Sequence, residues 1–315
     1  MEVSEDLNLG DLPEDIVRVI FEILVEDDKC RPTYASVSKQ IQSWVEPVVY
    51  RDVVVDVSRR FHRTVTDPSS TKPSTFFGLY VKSLVLQSYT TNQDILDILK
   101  KCYSVRSLVI WRGDDATPAE VEELHTLLSS SLLSPTMLSV TGAVFKPQEF
   151  KLTHSIFSQL THLEIPVEVN DPWEWVPLRN LERLTHLSVD LYFNVEKNDP
   201  DPAETAKRIL SFCPPSLRIF VVCPLPSDWD ADDDDVCEAT AEKIEAFSTG
   251  DIDPRIIVIS YGSPFGEEHC NFLVDIQYLI RAWGHSSQGN IFWARAEAIV
   301  ERRIAAKLGA FSLTE

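Results

Sequence analysis

Val81-Lys82-Ser83-Leu84-Val85-Leu86 is the stretch on which the fold turns. Apolar residues stand at its first, fourth and sixth places, and the same spacing recurs down the chain, with proline allowed first. Val105…Leu108…Ile110, Pro135…Leu138…Val140 and Leu160…Leu163…Ile165 fit it. So do Leu184…Leu187…Val189, Pro214…Leu217…Ile219 and Pro254…Ile257…Ile259. The central positions 84, 108, 138, 163, 187, 217 and 257 are separated by 24, 30, 25, 24, 30 and 40 residues. A period of roughly 20–50 residues marks stacked units, each too small to bury its apolar row alone.

The segments between these short strands read as helices. Residues 92–101 carry Ile95, Leu96, Ile98 and Leu99 on one face, followed by Cys102. Thr117-Pro118-Ala119-Glu120 and Asp201-Pro202-Ala203-Glu204 are two copies of one helix start. In each, the first side chain can cap free amides, proline suits the first turn, and the glutamate can close a capping box. Behind the second copy, Ala206, Ile209, Leu210 and Cys213 recur at helical spacing. Strand and helix alternating in this way predict an α/β solenoid over residues 78–265. Residues 266–315 form a C-terminal helical cap in this reading, with helices over 271–283 and 291–307. The second turns Phe292, Ala296, Ile299, Val300 and Ile304 inward, and Arg295, Glu297, Glu301, Arg302 and Arg303 outward. A cap over the open end of the stack protects an exposed sheet edge.

Composition narrows the function. The 315 residues are 44% hydrophobic and 25% charged, enough apolar surface for a folded chain of about two domains. No run approaches the roughly 18 apolar residues of a membrane helix, and the acidic, polar residues 1–10 resemble no targeting signal. A formal net charge of -20 repels phosphate backbones and anionic lipids, so neither nucleic acid nor membrane is expected as a partner. Residues 196–253 hold 15 acidic and 5 basic side chains, half of that excess. Cys30, Cys102, Cys213, Cys223, Cys237 and Cys270 lie far apart and read as reduced thiols of a cytoplasmic or nuclear protein rather than as a disulfide or metal framework.

The N-terminal residues 11–55 differ from the rest. Asp11-Leu12-Pro13-Glu14-Asp15 starts a helix, with proline in the first turn and acids at the positive end of the dipole. Ile16, Val19, Ile20, Ile23 and Leu24 then recur at helical spacing. A second helix is expected through Tyr34, Val37, Ile41, Trp44 and Val45 until Pro47, then a strand-like run Val53-Val54-Val55 and a loop over 56–77. The ordered series Leu12-Pro13, Ile20-Phe21, Val37-Ser38, Trp44 and Pro47…Tyr50 resembles the F-box-like motif of fungal type. The match spans a seventh of the chain and departs from the motif at 27–32, where family members often carry an apolar stretch.

The body behind it resembles the degenerate leucine-rich repeats often found after such a motif. The usual asparagine or cysteine five places after the central position is missing: Tyr89, Gly113, Ala143, Glu168, Tyr192, Val222 and Gly262 stand there. An irregular solenoid held by packing follows. The resemblance implies a substrate-recognition adaptor of a cullin-RING ubiquitin ligase, not an enzyme and without a cofactor. Leu12, Pro13, Ile16, Ile20, Phe21, Leu24 and Val37 would dock on a Skp-type adaptor, and the repeats would hold a protein substrate. A 45-residue helical unit cannot bury all its apolar surface, so a leftover helix face suits docking. The alternative is a repeat-based scaffold with no ubiquitin link, its N-terminal helices only capping the stack.

No catalytic constellation stands out. Asp228 to Asp235 would need Gly at the sixth and Glu at the twelfth place of a calcium loop, but Asp233 and Ala239 occupy them; a solvated loop or a landing site for a basic partner remains. His269-Cys270 lacks the paired spacing of a zinc site, and in Gly262-Ser263-Pro264-Phe265-Gly266 proline takes the nucleophile's place. His162 and His186 precede Leu163 and Leu187 at equivalent repeat positions, which repetition explains better than catalysis. Trp283 and Trp293 read as packing residues, whereas Trp173 and Trp175, between strands, are candidates for substrate contact.

Overall fold

The computed structural model describes residues 12–27, 31–87, 89–111, 118–140, 152–169, 174–194, 201–226, 245, 247–261, 270–284 and 290–311. The chain is α/β, built on one open parallel sheet of nine strands in sequential order. Helices α1 (Glu14–Asp27), α2 (Arg31–Tyr34) and α3 (Lys39–Val49) precede it. Strand β1 (Asp52–Val55) is followed by α4 (Arg60–Thr66), α5 (Phe76–Tyr80) and β2 (Ser83–Leu86). Then come α6 (Asn92–Lys101), β3 (Ser107–Ile110), α7 (Pro118–Ser129) and β4 (Met137–Val140). Two 3-10 turns, Ser155–Phe157 and Val176–Asn180, lead into β5 (His162–Glu168) and β6 (His186–Phe193). The chain continues through α8 (Pro202–Ser211), β7 (Ile219–Pro226), β8 (Ile256–Ser260) and β9 (Phe272–Leu273) to α9 (Ile276–Gly284) and α10 (Asn290–Phe311).

One ladder carries the repeat. Val53, Leu84, Leu108, Leu138, Leu163, Leu187, Phe220 and Ile256 stand side by side across eight strands. The first five intervals agree with the sequence pattern or extend it to β1; the last two do not. Leu217 fills the earlier buried place held elsewhere by Val81, Val105, Leu160 and Leu184, and the turn closed by Leu217 N donating to Pro214 O sets the strand three residues on. Ile256, not Ile257, is the ladder residue of β8. A shift of one residue reverses a strand's faces, so Ile257 and Ile259 point to the opposite side from the ladder.

The ladder face buries against α4 to α8. Thr91 Oγ1 accepts from Asp94 N at the start of α6, and Asp201 Oδ1 accepts from Ala203 N at the start of α8. Glu204 pairs with Lys207 at 2.6 Å rather than closing a capping box. The expected loop over 56–77 instead contains α4 and the first residues of α5; Phe61, Phe76 and Phe77 pack around Tyr50. Residues 52–55, grouped by sequence with the helical unit, are the sheet's first strand. Pro47 lies inside α3 rather than ending it, since a proline in the last turn forfeits only one helical bond.

The largest difference lies at the C-terminus. Residues 272–273, read as helix, form β9, and α9 and α10 do not cover the end of the sheet. They lie along its second face, α9 over β1 to β3 and α10 over β7 and β8. That face is apolar at both ends, with Val85 and Val109 on one side and Val221, Ile257 and Ile259 on the other. Leu279, Trp283, Phe292, Trp293, Ala296 and Val300 supply the cover. Ile304, expected inward, is 43% exposed. Arg295 is exposed as expected, its guanidinium over the Phe272 ring at 4.5 Å.

Arg303, also expected outward, turns in and donates to the carbonyls of Pro254, Ile256 and Ser248. Lys307 Nζ donates to Gly250 O at 3.3 Å. Gly250 has φ +77°, and a Cβ there would stand 2.8 Å from Arg303 Cδ. Gly250→Ala is expected to cost about 1–2 kcal/mol from backbone strain alone. A urea titration checks this as a lower midpoint at unchanged slope.

Candidate docking face and the covered sheet face

Helix α1 has two apolar stripes and one polar one. Pro13 O accepts from Ile16 N and Val17 N at 3.0 and 3.1 Å, and Glu14 and Asp15 lie in the first turn. Val17, Phe21 and Val25, four residues apart, face inward against Tyr34, Ile41, Val45 and Val48. The Phe21 and Tyr34 rings meet edge to face at 6.1 Å. Arg18, Glu22 and Glu26 form the polar stripe, with Arg18 Nε 2.7 Å from Glu22 Oε1. The third stripe is apolar and open: Ile16, Val19, Ile23 and Leu24 keep 46%, 48%, 54% and 40% of their surface, and Ile20 is half-buried between them.

The neighbouring elements place the remaining residues. Ser38 Oγ accepts from Ile41 N and starts α3. Gln40 Nε2 donates to Glu14 Oε1 at 2.8 Å and Arg51 Nη1 to Glu26 Oε1 at 2.9 Å, so α1 and α3 run in the same sense. Val37, 59% exposed, therefore sits at the end of the unit that holds half-buried Leu12 and exposed Pro13. Of the seven residues expected to dock, Phe21 is the exception: at 9% exposure it belongs to the unit's own core, because the position four before Val25 faces α3.

The face is weaker than its sequence implies. Each open side chain is already about half covered, so a partner gains roughly half of the ~1.5–3 kcal/mol of a full burial. Four such residues supply on the order of 4 kcal/mol, near the lower bound of the ~4–15 kcal/mol that association costs. Any tight partner must reach Leu12, Ile20 and Val37 as well.

The residues proposed for substrate contact fare differently. Trp175 is buried, 4% exposed, within the main core next to Leu178 and offers no surface. Trp173, Asp228 to Asp235 and residues 262–269 lie outside the described residues. Cys102, Cys213, Cys223 and Cys270 are free thiols, and burial pushes Cys102 and Cys213 up to about 12. Among the described residues no group of three or more His, Cys, Asp or Glu could hold a metal ion, and no helix is long and apolar enough to cross a membrane.

His162 and His186 are neighbours in the register of β5 and β6, stacked at 4.1 Å and within 6° of parallel. The Trp293 ring stands edge-on to both, at 5.2 and 5.0 Å. The Thr161 and Thr185 hydroxyls donate to the Thr136 and Thr161 carbonyls at 2.9 and 3.1 Å and stand 2.8 Å from His162 Nδ1 and His186 Nδ1. On the other side of its ring, His186 Nε2 lies 3.2 Å from Glu297 Oε1. Burial holds both rings neutral, pulling His162 down to about 3 with help from His186 and His186 down to about 4 with help from Arg218.

Pattern reading missed the polar residues between these histidines and the sheet's far edge. Ser139, Glu164, Ser188 and Asp190 all point to the second face and are buried. A sheet covered on both sides is ordinarily aliphatic throughout. The signal was available: each of these residues alternates with a ladder residue inside a strand. Comparison with protein-family models, with curated proteins and with solved structures finds no match for this chain.

Proposed function

We propose that the chain is a substrate-recognition adaptor of a cullin-RING ubiquitin ligase. In this reading α1 to α3 form an F-box-like unit docking on a Skp-type adaptor, and the sheet with its helices is an irregular leucine-rich-repeat-like solenoid that holds a protein substrate. The observation that carries it is the open stripe of Ile16, Val19, Ile23 and Leu24 on a helix whose other apolar stripe already has its own core. Sequential parallel strands, one per repeat, support the solenoid. With α9 and α10 on the second face, a substrate on the described body meets the helices, the strand ends or the loops.

A second reading, an end cap on a scaffold with no ubiquitin link, draws on the cluster of Tyr50, Phe61, Phe76 and Phe77 that ties α3 to the β1 end of the sheet. One experiment separates them: co-purification of the full chain with a Skp-type adaptor, for wild type and for Ile16→Asp with Ile23→Asp. Both positions are exposed, so the circular dichroism spectrum is expected to stay unchanged. Binding is expected to weaken by about 2 kcal/mol or more, the scale of an interface hot spot. A wild type that never binds the adaptor overturns the proposal and leaves the cap.

A further inference from the structure

We infer that Glu164 and Asp190 share a single proton through the Tyr261 hydroxyl, and that this proton latches the chain after β8 onto the middle of the sheet. The hydrogen bonds require it. Trp111 Nε1 donates to Ser139 Oγ at 2.7 Å; an indole N–H cannot accept, so the Ser139 hydroxyl is free to give its own proton. It gives it to Glu164 Oε2 at 2.5 Å. The Tyr261 hydroxyl oxygen lies 3.2 Å from Glu164 Oε1 and 3.0 Å from Asp190 Oδ1. One phenol proton serves one acceptor, so the second contact is a bond only if that carboxyl supplies a proton. Glu164 already accepts a short bond from Ser139, which favours its charged form. The Tyr261 proton therefore goes to Glu164, and the Asp190 carboxyl donates to the Tyr261 oxygen.

The surroundings agree. Glu164 and Asp190 are 4% and 5% exposed, and no cation among the described residues pairs with either. Two charges buried side by side in this way would have no compensation. The groups around the pair are Ser139 on β4, His162 on β5, His186, Ser188 and Tyr192 on β6 and Cys223 on β7. On α10, Glu297 meets His186 and Arg218 on the adjoining row. Burial and the Glu164 charge push the Asp190 carboxyl well above its usual range, and burial pushes Tyr192, Cys223 and Tyr261 up as well, so none of them adds a proton acceptor near neutrality. Tyr261 reaches β6 and β5 from the end of β8, across β7, so the latch ties together strands that are not neighbours.

The sign follows from linkage. The folded chain keeps a proton that the unfolded chain releases near the ordinary aspartate value, so the latch is complete at low pH and lost as pH rises through the folded value. Urea unfolding of the full chain between pH 5 and 9 tests this in wild type and in Asp190→Asn, whose amide can donate to Tyr261 and cannot ionise. Over the acid's titration the wild-type unfolding constant is expected to rise by up to tenfold per pH unit relative to the variant. Equal slopes overturn the inference. Should the asparagine variant not fold, infrared spectroscopy of the wild type decides. A protonated-carboxyl band at neutral pH that vanishes on raising pH supports the shared proton, and its absence at neutral pH overturns it. The latch does not depend on what α1 binds.

Discussion

Acidification from pH 6.5 to pH 4 is expected to destabilise the fold steeply, through His162 and His186. Both rings are held neutral in the folded chain, with values of about 3 and about 4 against 6.5 when unfolded. A depressed value means that the stabilisation is complete above pH 6.5 and is lost as pH falls towards the folded values. For His186 the loss is about 3 kcal/mol, at ~1.4 kcal/mol per unit. His162, held to about 3, adds a comparable amount. Together they reach a large fraction of the ~5–15 kcal/mol that holds an ordinary domain. The shared proton of Glu164 and Asp190 acts in the opposite direction over the same window, so the histidine contribution must be isolated. His186→Phe keeps an aromatic ring against Trp293 and removes the titration. Urea midpoints from pH 7 to 4 should then fall by about one proton's slope less than in wild type; equal slopes would clear the histidines.

Trp293→Ala is expected to cost about 3–5 kcal/mol, the range for emptying a large aromatic site. The side chain is 3% exposed and meets His162, His186, Trp283 at 6.1 Å and Phe292 at 4.8 Å. It is the point where α9, α10 and the polar stretch of the sheet converge. The loss should be uneven. Residues 290–300 of α10 are expected to lose hydrogen-exchange protection before α6, whose Ile95, Leu96, Ile98 and Leu99 lie in the separate core on the ladder face. Trp293→Phe should restore most of the protection. Simultaneous loss in both helices would mean that the two faces unfold as one unit.

The parts that were legible in the sequence share one property: they depend on neighbours close along the chain. The 3.6-residue stripe of α6 and the cap at Asp201 are local rules, and both hold. The strand pattern was legible as far as Leu187, where spacing and register coincide. It slipped at Leu217 and Ile257 because apolar residues on both faces of β7 and β8 satisfy the template in more than one frame. On α1 the heptad-like run announced apolar positions without saying which would be covered. Phe21 and Leu24 look alike in the sequence, and only the seat of α3 sends one inward and leaves the other 40% exposed. Trp175 is of the same kind, since a tryptophan between strands fits an interface and a core equally well, and only packing sends it into the core.

What the sequence determined by itself was a set of short parallel strands joined by helices, behind a separate helical unit. Periodicity and punctuation by proline and capping residues suffice for that, because they act through backbone geometry over a few residues. Where the last two helices go was decided by tertiary structure alone. Their amphipathic faces fit the end of the stack or its open side, and the choice rests on apolar rows on strands as distant in sequence as β1. The carbonyl of Trp283, which accepts from Ser83 Oγ at 3.0 Å and Ser107 Oγ at 2.7 Å, is held by partners that no local pattern names. The buried carboxyls beneath that face are of the same kind: a charge is written in the sequence, but whether it keeps its proton depends on the water that folding removes.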